Sequence, residues 1–158
     1  MSAPDFLLVH LLSLIPHRGG LALDAGSGAG RNIPYLEGQG YRVIALDRIS
    51  RGDIAADISA LPHPSDTFAL VVCDSVLDIS VDPPACAVSE LKRVLEPGGH
   101  LIIVAAAAEG SDPGITFTKD TVLGWVEDME LVELLYVRVD HPLAVGVRAQ
   151  WAFLARRR

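Results

Sequence analysis

The stretch Leu21-Ala22-Leu23-Asp24-Ala25-Gly26-Ser27-Gly28-Ala29-Gly30 runs from apolar residues into one acid and then three alternating glycines. An apolar run that closes on such a turn predicts a buried strand, a tight turn and a helix start. Glycine is needed there because a side chain would either clash with the backbone angles of the turn or hold a ligand away from the main chain. A ligand is therefore expected against that backbone.

The spacing narrows the choice of ligand. A dinucleotide fingerprint reads G-x-G-x-x-G, with the third glycine allowing a helix to pack closely on its strand. Counting from Gly26 and Gly28, Arg31 occupies that third position and glycine arrives one residue early, at Gly30. Asp24 stands just before the turn, where a carboxylate repels a pyrophosphate and suits a ligand carrying an ammonium group. Both features disfavour a nicotinamide-dependent oxidoreductase and favour a nucleoside bearing an amino acid.

A second acid, Asp47, closes the next apolar run, Tyr41-Arg42-Val43-Ile44-Ala45-Leu46-Asp47. It follows the glycines by about 20 residues, the distance at which doubly wound folds place a ribose-binding carboxylate. Three further blocks come after it: Asp57-Ile58 with Leu61-Pro62, then Asp66 to Val72, then Leu91 through Pro97-Gly98-Gly99 to Val104. Together these segments resemble, in order, the motifs of the class I S-adenosylmethionine-dependent methyltransferases, in a small variant similar to the type 11 methyltransferase domain.

The resemblance implies an α/β, Rossmann-like, doubly wound fold in three α/β/α layers, with a mostly parallel seven-stranded sheet and an antiparallel last strand. It implies S-adenosyl-L-methionine as cofactor, with S-adenosyl-L-homocysteine as product, and methyl transfer to an oxygen, nitrogen or carbon acceptor, small molecule or macromolecule. It places Asp24, Gly26, Ser27, Gly28 and Gly30 at the methionine part, Asp47 at the ribose, and Asp57 with Ile58 at the adenine. It also implies that Asp74, at the end of the fourth strand, faces the methyl group or acceptor. The chain departs from the family between Asp47 and Asp57, where the connection is too short for a full crossover helix, so the adenine-facing acid is either Asp53 or Asp57. Asp74 and Asp78 are the candidate general bases, each with a capping or water-facing role as the alternative. A non-catalytic cofactor-binding or partner-binding module is the competing function.

Length and charge bound the rest. The 158 residues suit one domain, with residues 1–20 as an N-terminal helix, 21–105 as the cofactor-binding core and 106–158 as a helix and strand hairpin. A net charge of -7 argues against nucleic acid as partner, and the one basic cluster, Arg156-Arg157-Arg158, reads as a solvated tail. Cys73 and Cys86 lack disulfide or metal spacing, and the five histidines have no metal-binding pattern, so no metal is expected. The apolar runs are too short to span a membrane, and a reducing, cytoplasmic setting is the expectation. No lid insertion is evident, so the pocket is expected to be open or completed by a homodimer or a partner protein.

Helical periodicity predicts a first helix over Pro4 to His17 and a second over Asn32 to Gln39, with Pro34 in its first turn and a start near Arg31. Asp53 to Ile58 reads as a brief edge strand and Phe68 to Asp74 as a strand buried on both faces. A helix opening at Pro83 and Pro84, with Val88, Leu91, Val94 and Leu95 inward, is expected to stop at Pro97-Gly98-Gly99, before a fifth strand over Leu101 to Ala105. After a loop over Glu109 to Gly114, a helix capped by Thr118 or Asp120 and a hairpin of Glu130 to Val139 with Val147 to Leu154 complete the chain. His63 and His141 lie in loops beside prolines and read as exposed loop residues, with reach into a pocket as the alternative. Trp125 and Trp151 read as core or interface residues.

Overall fold

A computed structural model describes residues 3–49, 53–77, 83–108, 117–138 and 149–158. Its elements are α1 (Phe6–Ser13), β1 (Gly20–Ala25), α2 (Ile33–Gly38), β2 (Tyr41–Asp47), β3 (Ile54–Ala55), β4 (Phe68–Asp74), α3 (Pro84–Val94), β5 (Leu95–Ala106), α4 (Lys119–Trp125), β6 (Glu130–Arg138) and β7 (Ala149–Arg156). Asp78, the Glu109 to Gly114 loop, and His141, Pro142 and Gly146 between the last strands lie outside the described residues.

The seven strands form one sheet in the order β3-β2-β1-β4-β5-β7-β6. Pairs among β1 to β5 are parallel, and β7 runs antiparallel to both β5 and β6. The alternation of side chains along each strand builds two cores. One face gathers Ala22, Leu70, Val72, Ile102 and Val104 under α1, which buries Leu7, Leu8, Leu11 and Leu12. The other gathers Leu23, Val71, Cys73, Leu101 and Ile103 under Ala87, Val88 and Leu91 of α3 and Val122 and Trp125 of α4. A strand covered on both faces must be apolar at every position, which is why Phe68–Asp74 carries no polar residue before its last.

Several boundaries shift from those expected. Helix α1 is shorter than Pro4 to His17: Asp5 caps it, accepting from the amides of Leu7 at 2.8 Å and Leu8 at 3.4 Å, and Pro16 cannot continue it. Helix α2 begins at Ile33 rather than Arg31, and Asn32, at its cap position, makes no side-chain cap. The Pro97-Gly98-Gly99 segment does not stop a helix. Helix α3 ends at Val94 and the chain enters β5 at once, so Leu95 is the buried first residue of a strand.

The register between β4 and β5 slips in that segment, from Phe68 opposite Leu95 to Leu70 opposite His100. Gly98 takes φ +80°, and a Cβ on Gly99 would lie 2.9 Å from the Glu96 carbonyl oxygen and 3.1 Å from that of Ala69, so the bulge tolerates no side chain there. The Arg156 to Arg158 segment is not a free tail. Arg156 belongs to β7, the Arg157 amide donates to the Gly99 carbonyl at 2.9 Å, and the Arg157 guanidinium pairs with Asp66.

The short connection after β2 yields a two-residue β3, so the edge strand is briefer than Asp53 to Ile58. Asp53 holds it in place by accepting from the Ala45 amide at 2.9 Å. Thr118 caps α4. Trp125 and Trp151 are buried, the latter donating from Nε1 to the Phe117 carbonyl at 3.0 Å, as core residues. The His63 ring meets Phe68 edge-on at 5.0 Å, with both nitrogens buried and unpartnered. Burial and the neighbouring Arg93 charge lower its pKa, a packing role rather than a pocket one.

Candidate functional site

Strands β1, β2 and β4 end at the same edge of the sheet, and the glycine turn lies across them. The amides of Gly26 and Ser27 donate to the Leu46 carbonyl at 2.7 and 3.0 Å, and the Gly30 amide to the Ser27 carbonyl at 2.8 Å. The Gly28 amide donates to Oδ2 of Asp47 at 2.9 Å. A phosphate cradle offers such amides to its ligand. Here these four are spent on the protein, and the turn is fitted for a ligand held mainly by side chains.

The glycines serve different ends. Gly26 sits at φ +79°, and a Cβ there would lie 2.2 Å from Cγ2 of Val76. Gly28 sits at φ +52°, and its Cβ would meet nothing within 4 Å. It faces open space, where a side chain would intrude on whatever binds.

Two hollows flank the turn and share Gly26, Gly28 and Asp74 as walls. The first, about 230 Å³, runs past Asp47, Ala56, Asp57, Ile58, Ser75 and Val76. The second, about 490 Å³, is walled by Gly26 to Gly30, Arg31, Pro34 and Asp74. A hollow of about 560 Å³ opens at the opposite edge of the sheet, by Tyr41 and His100. Size does not locate the site; the convergence of acids and an unpartnered polar atom does.

That atom is Oδ2 of Asp24. Asp24 is 2% exposed, and this oxygen has no hydrogen-bond partner. Burial, reinforced by the nearby Asp74 charge, pushes its carboxyl up to about 7, with Arg31 opposing and Asp47 adding to the rise. It lies beneath the turn rather than in the wall of either hollow. The hydroxyl of Ser27 is likewise buried and unpartnered. Asp47, half-buried, also accepts from the Ile49 amide at 2.9 Å. Asp57 is exposed, accepts from the Ser59 amide at 2.8 Å, and lies 3.9 Å from Arg48. Since Asp53 is committed to β2, Asp57 with the buried Ile58 forms the wall of the first hollow.

Asp74 is built into a network. Its Oδ2 accepts from Arg31 at 2.8 Å and from Asn32 at 3.0 Å, and its Oδ1 from Ser75 at 2.9 Å. Gln150 of β7 donates to the Ser75 hydroxyl at 3.4 Å, and Ser75 sits at φ +58°, a strained conformation for a non-glycine residue. Asp74 stands in the wall of both hollows, with three donors from the protein already on its carboxylate.

Arg31, Asn32, Asp5 and Gln150 escaped the sequence reading as neighbours of Asp74 and Ser75. Arg31 showed only as a misfit in the third glycine position. Among the described residues, no group of three or more His, Cys, Asp or Glu side chains is placed to hold a metal, and no helix is long and apolar enough to cross a membrane.

Residues 23–103 match the family model described as a methyltransferase domain. A malonyl-[acyl-carrier protein] O-methyltransferase of Enterobacter lignolyticus is 35% identical over 119 residues, covering 63% of this chain and 44% of that protein. The 1,6-didemethyltoxoflavin-N1-methyltransferase of Burkholderia thailandensis, solved with 1,6-didemethyltoxoflavin and S-adenosylhomocysteine, superposes with a TM-score of 0.69 at 21% identity, covering 96% of this chain and 75% of that one. The [4+2]-cyclase SpnF has a TM-score of 0.73 at 16% identity, over 97% and 78% of the two chains. This chain spans less than half the length of the curated relatives it matches.

Proposed function

The chain belongs to the methyltransferase-domain family of class I S-adenosylmethionine-dependent enzymes, and from that premise we propose that it binds S-adenosylmethionine along the glycine turn and transfers its methyl group to an acceptor at the ends of β1 and β4. The observation that carries the reading is the buried Asp24 carboxyl, whose Oδ2 has no hydrogen-bond partner, beneath a turn whose Gly28 position opens on empty space. Burying an acid without a partner is costly, and a ligand ammonium supplies the missing charge. Asp47 lines the first hollow as the acid for the ribose, and Asp57 with Ile58 offers an acid and an apolar surface to a base.

When bound, the sulfonium supplies a methyl group with a good leaving group behind it. What the protein must do is hold and aim, because methyl transfer is an in-line displacement in which positioning does much of the work. The network around Asp74 fixes the wall beside the reacting centre. It also occupies the acid that would otherwise take a proton. We therefore infer an acceptor atom that carries an available lone pair at neutral pH, such as a ring nitrogen or a carboxylate oxygen. The N1- and O-methyltransferases among the similar proteins support that class.

Calorimetry with S-adenosylhomocysteine tests the proposal. Micromolar binding is expected, weakened in Asp47→Ala by about 1.5–3 kcal/mol for the loss of a charged acceptor. Asp47→Asn, which keeps an acceptor for the Gly28 amide, should lose less. A wild-type protein that binds no S-adenosylhomocysteine sinks the proposal. The occupied state of Asp74 favours a second reading, a non-catalytic cofactor-binding module, which predicts binding without turnover.

A further inference from the structure

The segment that walls the first hollow is fastened at its far end to α3. Asp57 and Ile58 line the hollow, and the chain then runs through Ser59 and Ala60, whose amides turn back on Asp57 at 2.8 and 3.1 Å, to Leu61-Pro62-His63-Pro64. Glu90 accepts from the Leu61 amide at 2.9 Å, and Arg93 donates to the carbonyls of His63 at 2.9 Å and Leu61 at 3.1 Å. The remaining attachment is the His63 ring, set edge-on against Phe68 with both nitrogens buried and unbonded. A phenyl ring would make that contact without leaving a buried donor and acceptor unsatisfied. What an imidazole adds is a proton that arrives near neutral pH.

We propose that His63 is a proton-sensitive latch: protonation drives its ring off Phe68 and releases the loop from Leu61 to Ser65, which loosens the Asp57 and Ile58 wall of the first hollow. The consequence for ligand binding rests on the cofactor reading given above, whereas the latch itself does not. An imidazolium in that seat has no acceptor for either nitrogen, and the charge that acts on it is the Arg93 guanidinium. Glu90, the acid beside it on α3, already accepts from Arg93 at 2.7 and 2.9 Å with its two oxygens. Phe68 brings no charge from β4, and Asp66 before it is paired with Arg157. Because Arg93 also carries the two loop carbonyls, repulsion between the cations strains the bonds that fasten the loop. Burial first, and then the Arg93 charge, hold the imidazole below its ordinary 6.5. The folded state therefore binds fewer protons than the unfolded state in acid. Stability from this group is full above pH 6.5 and is lost as pH falls below it.

His63→Phe tests this, since it keeps the edge-on contact and cannot titrate. Between pH 7.5 and 5.0 the melting temperature of the variant should gain about 3 °C on that of the wild type. Groups common to both proteins, Asp24 included, cancel in that comparison. Protection of the Leu61 amide against hydrogen exchange, corrected for the intrinsic rate, should fall about tenfold over the same range in the wild type and hold in the variant. S-adenosylhomocysteine should bind both proteins equally at pH 7.5 and the variant about threefold more tightly at pH 5.0. His63→Gln, a second side chain that does not titrate, should show the same flat response even if it melts lower throughout.

A melting-temperature difference that does not change with pH, or Leu61 protection that falls equally in the variants, overturns the latch. Equal affinities at pH 5.0 overturn its link to the first hollow and leave the cofactor reading standing. A wild type that binds no S-adenosylhomocysteine at either pH overturns the cofactor reading and that link, while melting and exchange still decide the latch.

Discussion

Gly26→Ala is expected to lose about 3 kcal/mol of stability. Two penalties add at this position. The backbone angle, φ +79°, lies in the left-handed region, which costs about 1 kcal/mol for an alanine. The new methyl would also stand 2.2 Å from Cγ2 and 2.8 Å from Cγ1 of Val76, and such overpacking costs about 1–3 kcal/mol. Val76 follows the strained Ser75, so little relief is available without moving the end of β4. Gly28→Ala provides the contrast. Its backbone strain is similar, but its methyl meets nothing, so about 1 kcal/mol is expected, together with weaker S-adenosylhomocysteine binding because the methyl enters the hollow. Urea denaturation of both variants, beside calorimetry on the Gly28 variant, measures the difference. Equal losses of stability at the two positions would show that the Val76 contact is not limiting.

Asp24→Asn is expected to trade binding for stability. Folded, the Asp24 carboxyl holds its proton up to about pH 7, because burial and the Asp74 charge disfavour ionisation; its ordinary value is 3.8. The folded state therefore binds more protons than the unfolded state between these limits. Stability from this group is full below pH 3.8, falls as pH rises through the interval, and stays low above 7. Asparagine removes that slope, and at pH 8 the variant should be more stable by about 1–2 kcal/mol. Binding moves the other way. An ammonium needs the ionised acid, so wild-type affinity should fall about tenfold per pH unit below 7 and level off above it, whereas the variant should bind weakly with no such dependence. Melting curves and calorimetry from pH 5.5 to 8.5 read both effects. A variant with wild-type affinity and an unaltered pH slope would remove Asp24 from the site.

The legible part of the site is local. Asp24, the glycines and Asp47 are marked by the runs they close, since a strand end followed by a turn is a short-range pattern. The choice between Asp53 and Asp57 was open because a shortened connection can be aligned two ways. In the structure Asp53 accepts from the Ala45 amide, whereas Asp57 lines the first hollow. Asp74 was placed correctly at the sheet edge, but what it does there depends on Arg31 and Asn32, more than 40 residues earlier.

Sequence alone determined the two-faced apolar strands and the acid-flanked glycine turn, because alternation, strand length and glycine spacing are properties of neighbouring residues. Tertiary structure decided the rest. It carried β5 through Pro97-Gly98-Gly99, where a turn-forming composition is overridden by pairing with β4 and the chain's last residues. It also drew Asp5, Arg31, Asp74, Ser75 and Gln150 into one network. The energies of ionised groups are set by which other charges and how little water surround them, and those surroundings exist only once distant segments have met.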